Sequence, residues 1–126
     1  MREKENERIQ QEDFSLDELV QRLKRPELGA IVTFLGVVRA DPGVTGITVE
    51  IYREMAAAEL RKLEQEAREK FEIDAVEIVH REGPLKVGEN IVAILVGARH
   101  RRDAFRACEY LINELKKRVP IWKQGE

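Results

Sequence analysis

Two lysines seven residues apart, Lys116 and Lys123, are the residues of this chain whose placement most plainly allows chemistry. The first closes a helical pattern; the second lies just past a Pro-Ile-Trp break at Pro120 to Trp122. At the start of the same pattern stands a basic cluster, Arg99, His100, Arg101 and Arg102, and a further arginine, Arg39, closes a strongly apolar strand pattern. Guanidinium forks and an imidazole hold phosphate or carboxylate, and an amine beside them can act as acid, base or nucleophile. Loops that follow strands are common places for such groups because the frame behind them is rigid. The plainer alternative is that Lys116, Lys117 and Arg118 are cations favoured at a helix C-terminus, and that the arginines are solvated strand ends.

The element that must position the lysines is the last helix. At about 100° per residue, Ala104, Ala107, Cys108, Leu111, Ile112 and Leu115 share one apolar face. Lys117 then points away from that face and Lys116 lies on its flank, where its stem can run along packed surface and bring its amine to a cleft edge. Partial desolvation there would make the neutral amine available. Asp103 suits the positive end of the helix, Pro120 stops it, and Trp122 is expected to anchor the segment that carries Lys123. Cys108 sits in the middle of the apolar face, which predicts a buried, unreactive thiol. Any sulfur chemistry therefore needs sulfur brought from outside.

The remaining elements frame this helix. Met1 to Asp13, charged and without an apolar period, reads as a mobile lead-in, and residues 14–126 as a single domain. Ser15 to Glu18 reads as a capping box that opens a short helix with Leu16, Leu19, Val20 and Leu23 inward. The run from Ala30 to Arg39 is too continuously apolar to have a wet face and is expected as a central strand, with Gly36 marking a bulge or a close backbone approach. Turn residues from Ala40 to Gly46 lead to a strand at Ile47 to Tyr52, a long helix from about Glu54 to Lys70, and strands at Ala75 to His80 and Ile91 to Ala98, with a short extended piece at Leu85 to Val87. The fold class expected is α+β, a mainly antiparallel sheet with packed helices. Glu82 and Glu89 read as hydrogen-bonding residues of glycine-rich turns, His80 as a structural strand-end residue, and Phe34, Tyr52 and Met55 as core or cleft wall.

Composition sets the bounds. A net charge of −2 argues against a general nucleic-acid binder, so a small RNA-binding α+β domain is a weak rival and any anion site must be local. One cysteine allows no internal disulfide or Cys-rich metal site, and the two histidines lack metal-ligand spacing; no metal is expected, and no motif calls for a cofactor. No apolar run is long enough to span a membrane and the N-terminus is charged rather than signal-like, which makes a cytoplasmic protein the expectation.

Taken together, GAIVTFLGVVR (Gly29 to Arg39), EIYREMAAAEL (Glu50 to Leu60), HREGPLKVGE (His80 to Glu89), RHRRDAF (Arg99 to Phe105) and LKKRVPIWK (Leu115 to Lys123) resemble the large, catalytic subunit of molybdopterin synthase, the MoaE family. The pieces follow the family's order over most of the chain after residue 28. The resemblance implies an α/β-hammerhead fold and the conversion of cyclic pyranopterin monophosphate to molybdopterin by insertion of two sulfurs, without a metal. It implies a small ubiquitin-like partner whose C-terminal Gly-Gly thiocarboxylate delivers the sulfur, and a central homodimer flanked by two small subunits, a heterotetramer whose pocket can draw on both large subunits. By the same resemblance Lys116 and Lys123 are catalytic, and Arg39, His100 and Arg101 hold the pterin phosphate. Val37, Val38, Gln124 and Gly125 adjoin the substrate, and Phe34 and Met55 form the wall. Val37 stands where some members carry lysine, which removes one charge contact. A non-catalytic scaffold that binds a ubiquitin-like partner is the alternative function.

Overall fold

The structure, a computed structural model, describes residues 8–125, in the order β1 (Ile9–Gln10), α1 (Leu16–Leu23), β2 (Ala30–Val37), β3 (Gly46–Ile51), α2 (Arg53–Lys70), β4 (Ala75–Arg81), β5 (Gly83–Lys86), β6 (Asn90–Ala98), α3 (Arg101–Arg118) and β7 (Ile121–Gly125). A four-stranded sheet runs β1-β4-β6-β2 and a three-stranded sheet runs β5-β3-β7. Among the described residues every pairing is antiparallel except that of β1 with β4. The architecture is the α+β class expected.

Side chains of a strand alternate between faces, and β4 and β6 are apolar on both. Val76, Ile78, Val92, Ile94 and Val96 join the cluster formed with α2 and α3, which includes Leu60, Leu63, Ala107 and Leu111. Val79, Ala93 and Leu95 meet Leu19 and Leu23 of α1 on the other side. Ser15 caps α1 by accepting a bond from the Glu18 amide at 3.3 Å. Cys108 is buried, and burial pushes its thiol up to about 11.

The structure differs from the sequence expectation in three places. The run from Ala30 is an edge strand, bonded to β6 alone, rather than a central one. Continuous apolarity does not here report two covered faces: Val32 and Phe34 pack with the larger cluster, but on the other face only Ile31 meets the α1 cluster, and Leu35 and Val37 are exposed. Nor does it report how many neighbours the backbone bonds. Second, the stretch expected as a lead-in contributes a strand. Ile9 and Gln10 pair with His80 and Arg81, the Arg8 carbonyl accepts from the His80 amide, and the buried Arg8 guanidinium pairs with Glu64 of α2. Two residues are too few to show a period; the rest of that expectation, residues 1–7, lies outside the described residues. Third, the segment after Pro120 is a strand, where the sequence was read only as a helix stop and an anchor.

Two glycines shape the frame of the site. Gly36 lies at a bulge, where the register of β2 on β6 shifts, and a Cβ there would meet Val92 Cγ1 at 2.8 Å. Gly83, at φ +98°, lets the chain leave β4 in the first sheet and enter β5 in the second.

Candidate functional site

The last turn of α3 carries three consecutive cations, and the fold separates them. Arg118 turns to the α2–α3 seam, where its Nη1 lies 2.7 Å and its Nη2 3.0 Å from the Glu66 carboxylate and its Nε 3.3 Å from Glu59. That fork and the Tyr110 hydroxyl hold the Glu66 carboxyl down at about 2. Lys117 faces outward, 3.7 Å from Glu114. Lys116 has no ion-pair partner among the described residues and lines a cleft of about 800 Å³. The reading of these residues as ordinary helix-end cations therefore fits Lys117 and Arg118 and leaves Lys116 unexplained.

Lys123 reaches the same cleft from β7, and strand alternation places it there. It stands opposite the buried Val49 of β3, with Gly125 opposite Ile47; Trp122 and Gln124, opposite Glu50 and Thr48, point to the other side. Trp122 stacks edge-on against Tyr52, with centroids 5.7 Å apart, and so braces the strand from behind. Lys123 keeps contact with solvent, yet the cleft walls desolvate its amine. This effect, with the Lys116 ammonium second, holds its pKa below the ordinary lysine value. Both lysines are exposed, and the partial desolvation expected at Lys116 is found at Lys123.

β2 and the loop after it supply the third wall. Phe34, Val37, Val38 and Arg39 line the cleft, Val38 buried and Val37 half exposed. Arg39 lies at the open rim with its side chain 83 % exposed, its Nε 3.1 Å from Asp41 Oδ1. Two ammonium groups and a guanidinium share this space with one carboxylate, Asp41, which already engages Arg39. Such an arrangement favours an anionic ligand.

Not every expected residue is here. His100 stands at the N-cap position of α3, without a side-chain capping bond, and Arg101 opens the helix, both exposed. Sixteen residues separate His100 from Lys116, about 24 Å along the helix axis. Within one chain they are not part of this cleft. Gln124 is carried to the opposite face by alternation, and Met55, 61 % exposed in the first turn of α2, is not among the cleft residues. Conversely, the cleft includes two polar residues that the sequence reading did not place there, Asp41 and His80. The available signals were the Asp-Pro-Gly turn after Arg39 and a histidine at an inward position of β4, in phase with Val76 and Ile78. Among the described residues no three His, Cys, Asp or Glu side chains converge as a metal-ligand set, and no helix is long and apolar enough to cross a membrane.

Fold and cleft together define an α+β protein whose anion-receptive pocket presents two amines without carboxylate partners. The chain belongs to the MoaE family: the family model described as MoaE protein matches residues 9–118. It is similar to the molybdopterin synthase catalytic subunit of Pyrococcus abyssi, 42 % identical over 116 residues, which cover 90 % of this chain and 78 % of that one. It is similar also to that of Thermoplasma volcanium, 42 % identical over 119 residues, covering 92 % and 87 %. The crystal structure of molybdopterin synthase from Staphylococcus aureus superposes with a TM-score of 0.89 at 36 % identity, covering 94 % of this chain and 89 % of that one.

Proposed function

We propose that this chain is the catalytic subunit of a molybdopterin synthase, an enzyme of molybdenum cofactor biosynthesis. It transfers sulfur from the thiocarboxylated C-terminus of a small ubiquitin-like subunit to cyclic pyranopterin monophosphate, forming the dithiolene in the cytoplasm. The observation that carries this reading is the meeting of Lys116 and Lys123 in one cleft, from different elements and without acidic partners. Those are the two positions that the family resemblance makes catalytic.

In this reading the phosphorylated pterin enters the cationic cleft, with Arg39 at the rim exchanging Asp41 for the ligand. An extended Gly-Gly tail needs little width, and Phe34, Val37 and Gly125 leave an apolar lane for it. Holding the thiocarboxylate against the pterin supplies proximity. Lys116 serves as acid-base group or as covalent holder of the substrate, and Lys123 stabilises the oxyanion as sulfur is transferred. His100 and Arg101 hold the phosphate of a pterin bound in a second copy of the chain, because their distance from Lys116 within one chain forbids a shared contact. The assembly is then a homodimer with one small subunit at each outer end.

The test is reconstitution with thiocarboxylated small subunit and cyclic pyranopterin monophosphate, followed by an assay of the dithiolene. Lys116→Ala is expected to lose turnover while Lys117→Ala keeps it. Tail binding with no turnover in the wild-type chain would support the scaffold instead.

A further inference from the structure

His80 is the one histidine in the frame of the cleft, and it stands where β4 calls for an apolar residue. Val76, Ile78 and His80 share a face of the strand; the first two are core, and so is Val92, the partner of His80 on β6. The residue is 1 % exposed. A polar ring in such a row costs stability unless its nitrogens are used.

One nitrogen has a structural use. Nδ1 lies 2.9 Å from the carbonyl oxygen of Arg81. A carbonyl only accepts, so Nδ1 carries the proton and Nε2 carries a lone pair. That carbonyl is itself fixed. The Arg81 guanidinium is bonded to the carbonyls of Gln11 at 2.9 Å and Asn90 at 3.1 Å, and to Glu89 at 3.2 Å. The His80 amide donates to the carbonyl of Arg8, the residue before β1. Strand, ring and tautomer are thus determined together.

The other nitrogen is left over. Every fully buried side-chain nitrogen and oxygen among the described residues has a partner, while His80 makes its side-chain bond through Nδ1. Nε2 is therefore reachable from the cleft that the ring lines. The charged groups of that cleft are Lys116 from α3, Lys123 from β7, and Arg39 and Asp41 from the loop after β2. Burial holds the imidazole neutral, at about 4, and Lys123 adds to that effect. A protonated ring would be a further cation with no lone pair to offer.

We infer that Nε2 of His80 is a binding group of the cleft, accepting a hydrogen bond from an N–H or O–H of the uncharged, heterocyclic part of the substrate. The cationic groups of the assembled site read the anionic parts of the ligand; a fixed acceptor in the cleft reads a donor elsewhere on it, which an ammonium or guanidinium cannot do. The inference rests on the proposed function for the identity of the ligand, and names a residue beyond those the resemblance assigns.

Two near-isosteric substitutions separate the roles of the nitrogens. His80→Asn keeps an N–H where Nδ1 stands and removes the acceptor. His80→Gln places an amide oxygen near the position of Nε2. Binding of cyclic pyranopterin monophosphate and of inorganic phosphate is measured by calorimetry on the full chain and both variants, with melting temperatures as the control for folding. The expected result is precursor binding weakened about tenfold in His80→Asn, inorganic phosphate binding unchanged, and precursor binding largely restored in His80→Gln. Because the chain has two histidines, the His80 ring is readily assigned by ¹⁵N NMR. Its Nε2 resonance is expected to shift with precursor and not with phosphate, a readout that a structural histidine would not move. Unchanged precursor affinity in a folded His80→Asn, or an Nε2 signal indifferent to precursor, overturns the inference. If both variants are too unstable to titrate, the wild-type NMR shift alone decides. Precursor binding without turnover would sink the catalytic reading and leave His80 standing; failure of the wild-type chain to bind precursor would sink both.

Discussion

At its C-terminal end α3 carries Lys116, Lys117 and Arg118; at its N-terminal end Arg101 and Arg102 follow Arg99 and His100. The helix dipole favours the first group and opposes the second, which has Asp103 as the acidic residue of the first turn. Cations at the C-terminal end thus have a reason to be there whether or not they do chemistry, and two of the three are accounted for by Glu66, Glu59 and Glu114. Those at the N-terminal end have no such reason. A charge kept against the local field is better evidence for a ligand than a charge that the field rewards. By that standard the N-terminal cluster argues more strongly for an anion, even though the cleft lies at the other end.

The sharpest way to break this comparison is to ask whether the two ends belong to one site. Lys116→Ala is expected to slow turnover at least about a hundredfold. Arg101→Ala, by removing a charged bond to phosphate, is expected to lower kcat/KM about ten- to a hundredfold. If the ends meet across a two-fold, an equal mixture of the two variants re-forms intact sites in mixed dimers. Activity at low substrate then recovers to about a quarter of wild type. No recovery after subunit exchange would mean that each chain works alone, and that the N-terminal cluster has another role.

A second measurement concerns the C-terminal end, which shares its cleft with His80 while the N-terminal end does not. Folded, His80 takes up a proton near pH 4; unfolded, near the ordinary 6.5. As the pH falls the unfolded chain is protonated first, so stability is full above about 6.5 and declines toward 4. This group's share of the loss is about 3 kcal/mol. Urea titrations between pH 7 and 4 are expected to show that loss in the wild-type chain and a smaller one in His80→Asn. Equal slopes would show that the ring is not held neutral by burial.

The smallest effect tests the comparison most directly. Arg102→Gln at the N-terminal end is expected to raise stability by about 0.3–1 kcal/mol, and Lys117→Gln at the C-terminal end to lower it by a similar amount. Lys117→Gln, at a residue that faces away from the cleft, is expected to leave turnover near wild type. The opposite signs, read from urea midpoints at low ionic strength, are the diagnostic; like signs would mean that the dipole does not distinguish the ends.

Much of this was legible in the residues. The apolar face of α3 was read as it is found, as were the cap at Ser15, the buried thiol of Cys108 and the bulge at Gly36. Helical and strand periods report which face of an element is covered, and covered faces are what a core requires. The same signal misled for β2, an edge strand that leaves the apolar Leu35 and Val37 exposed. It was silent for β1, too short to show a period, and for β7, whose outward positions are Trp122 and Gln124. Within the site, Lys116, Lys123, Arg39, Phe34, Val37, Val38 and Gly125 come together, whereas Gln124, Met55, His100 and Arg101 do not within one chain.

By itself, then, the sequence determined most of the element types, the inward faces of the helices, the family and the two amines. Only tertiary structure decided which cation of three enters the cleft, that the cleft walls partly desolvate Lys123, and that a histidine read as structural opens on the site. The reason is that these outcomes depend on register and on packing across elements. Val49 opposite Lys123 and Glu66 beside Arg118 are contacts between residues tens of positions apart. No local period in the sequence encodes which of those residues will face each other.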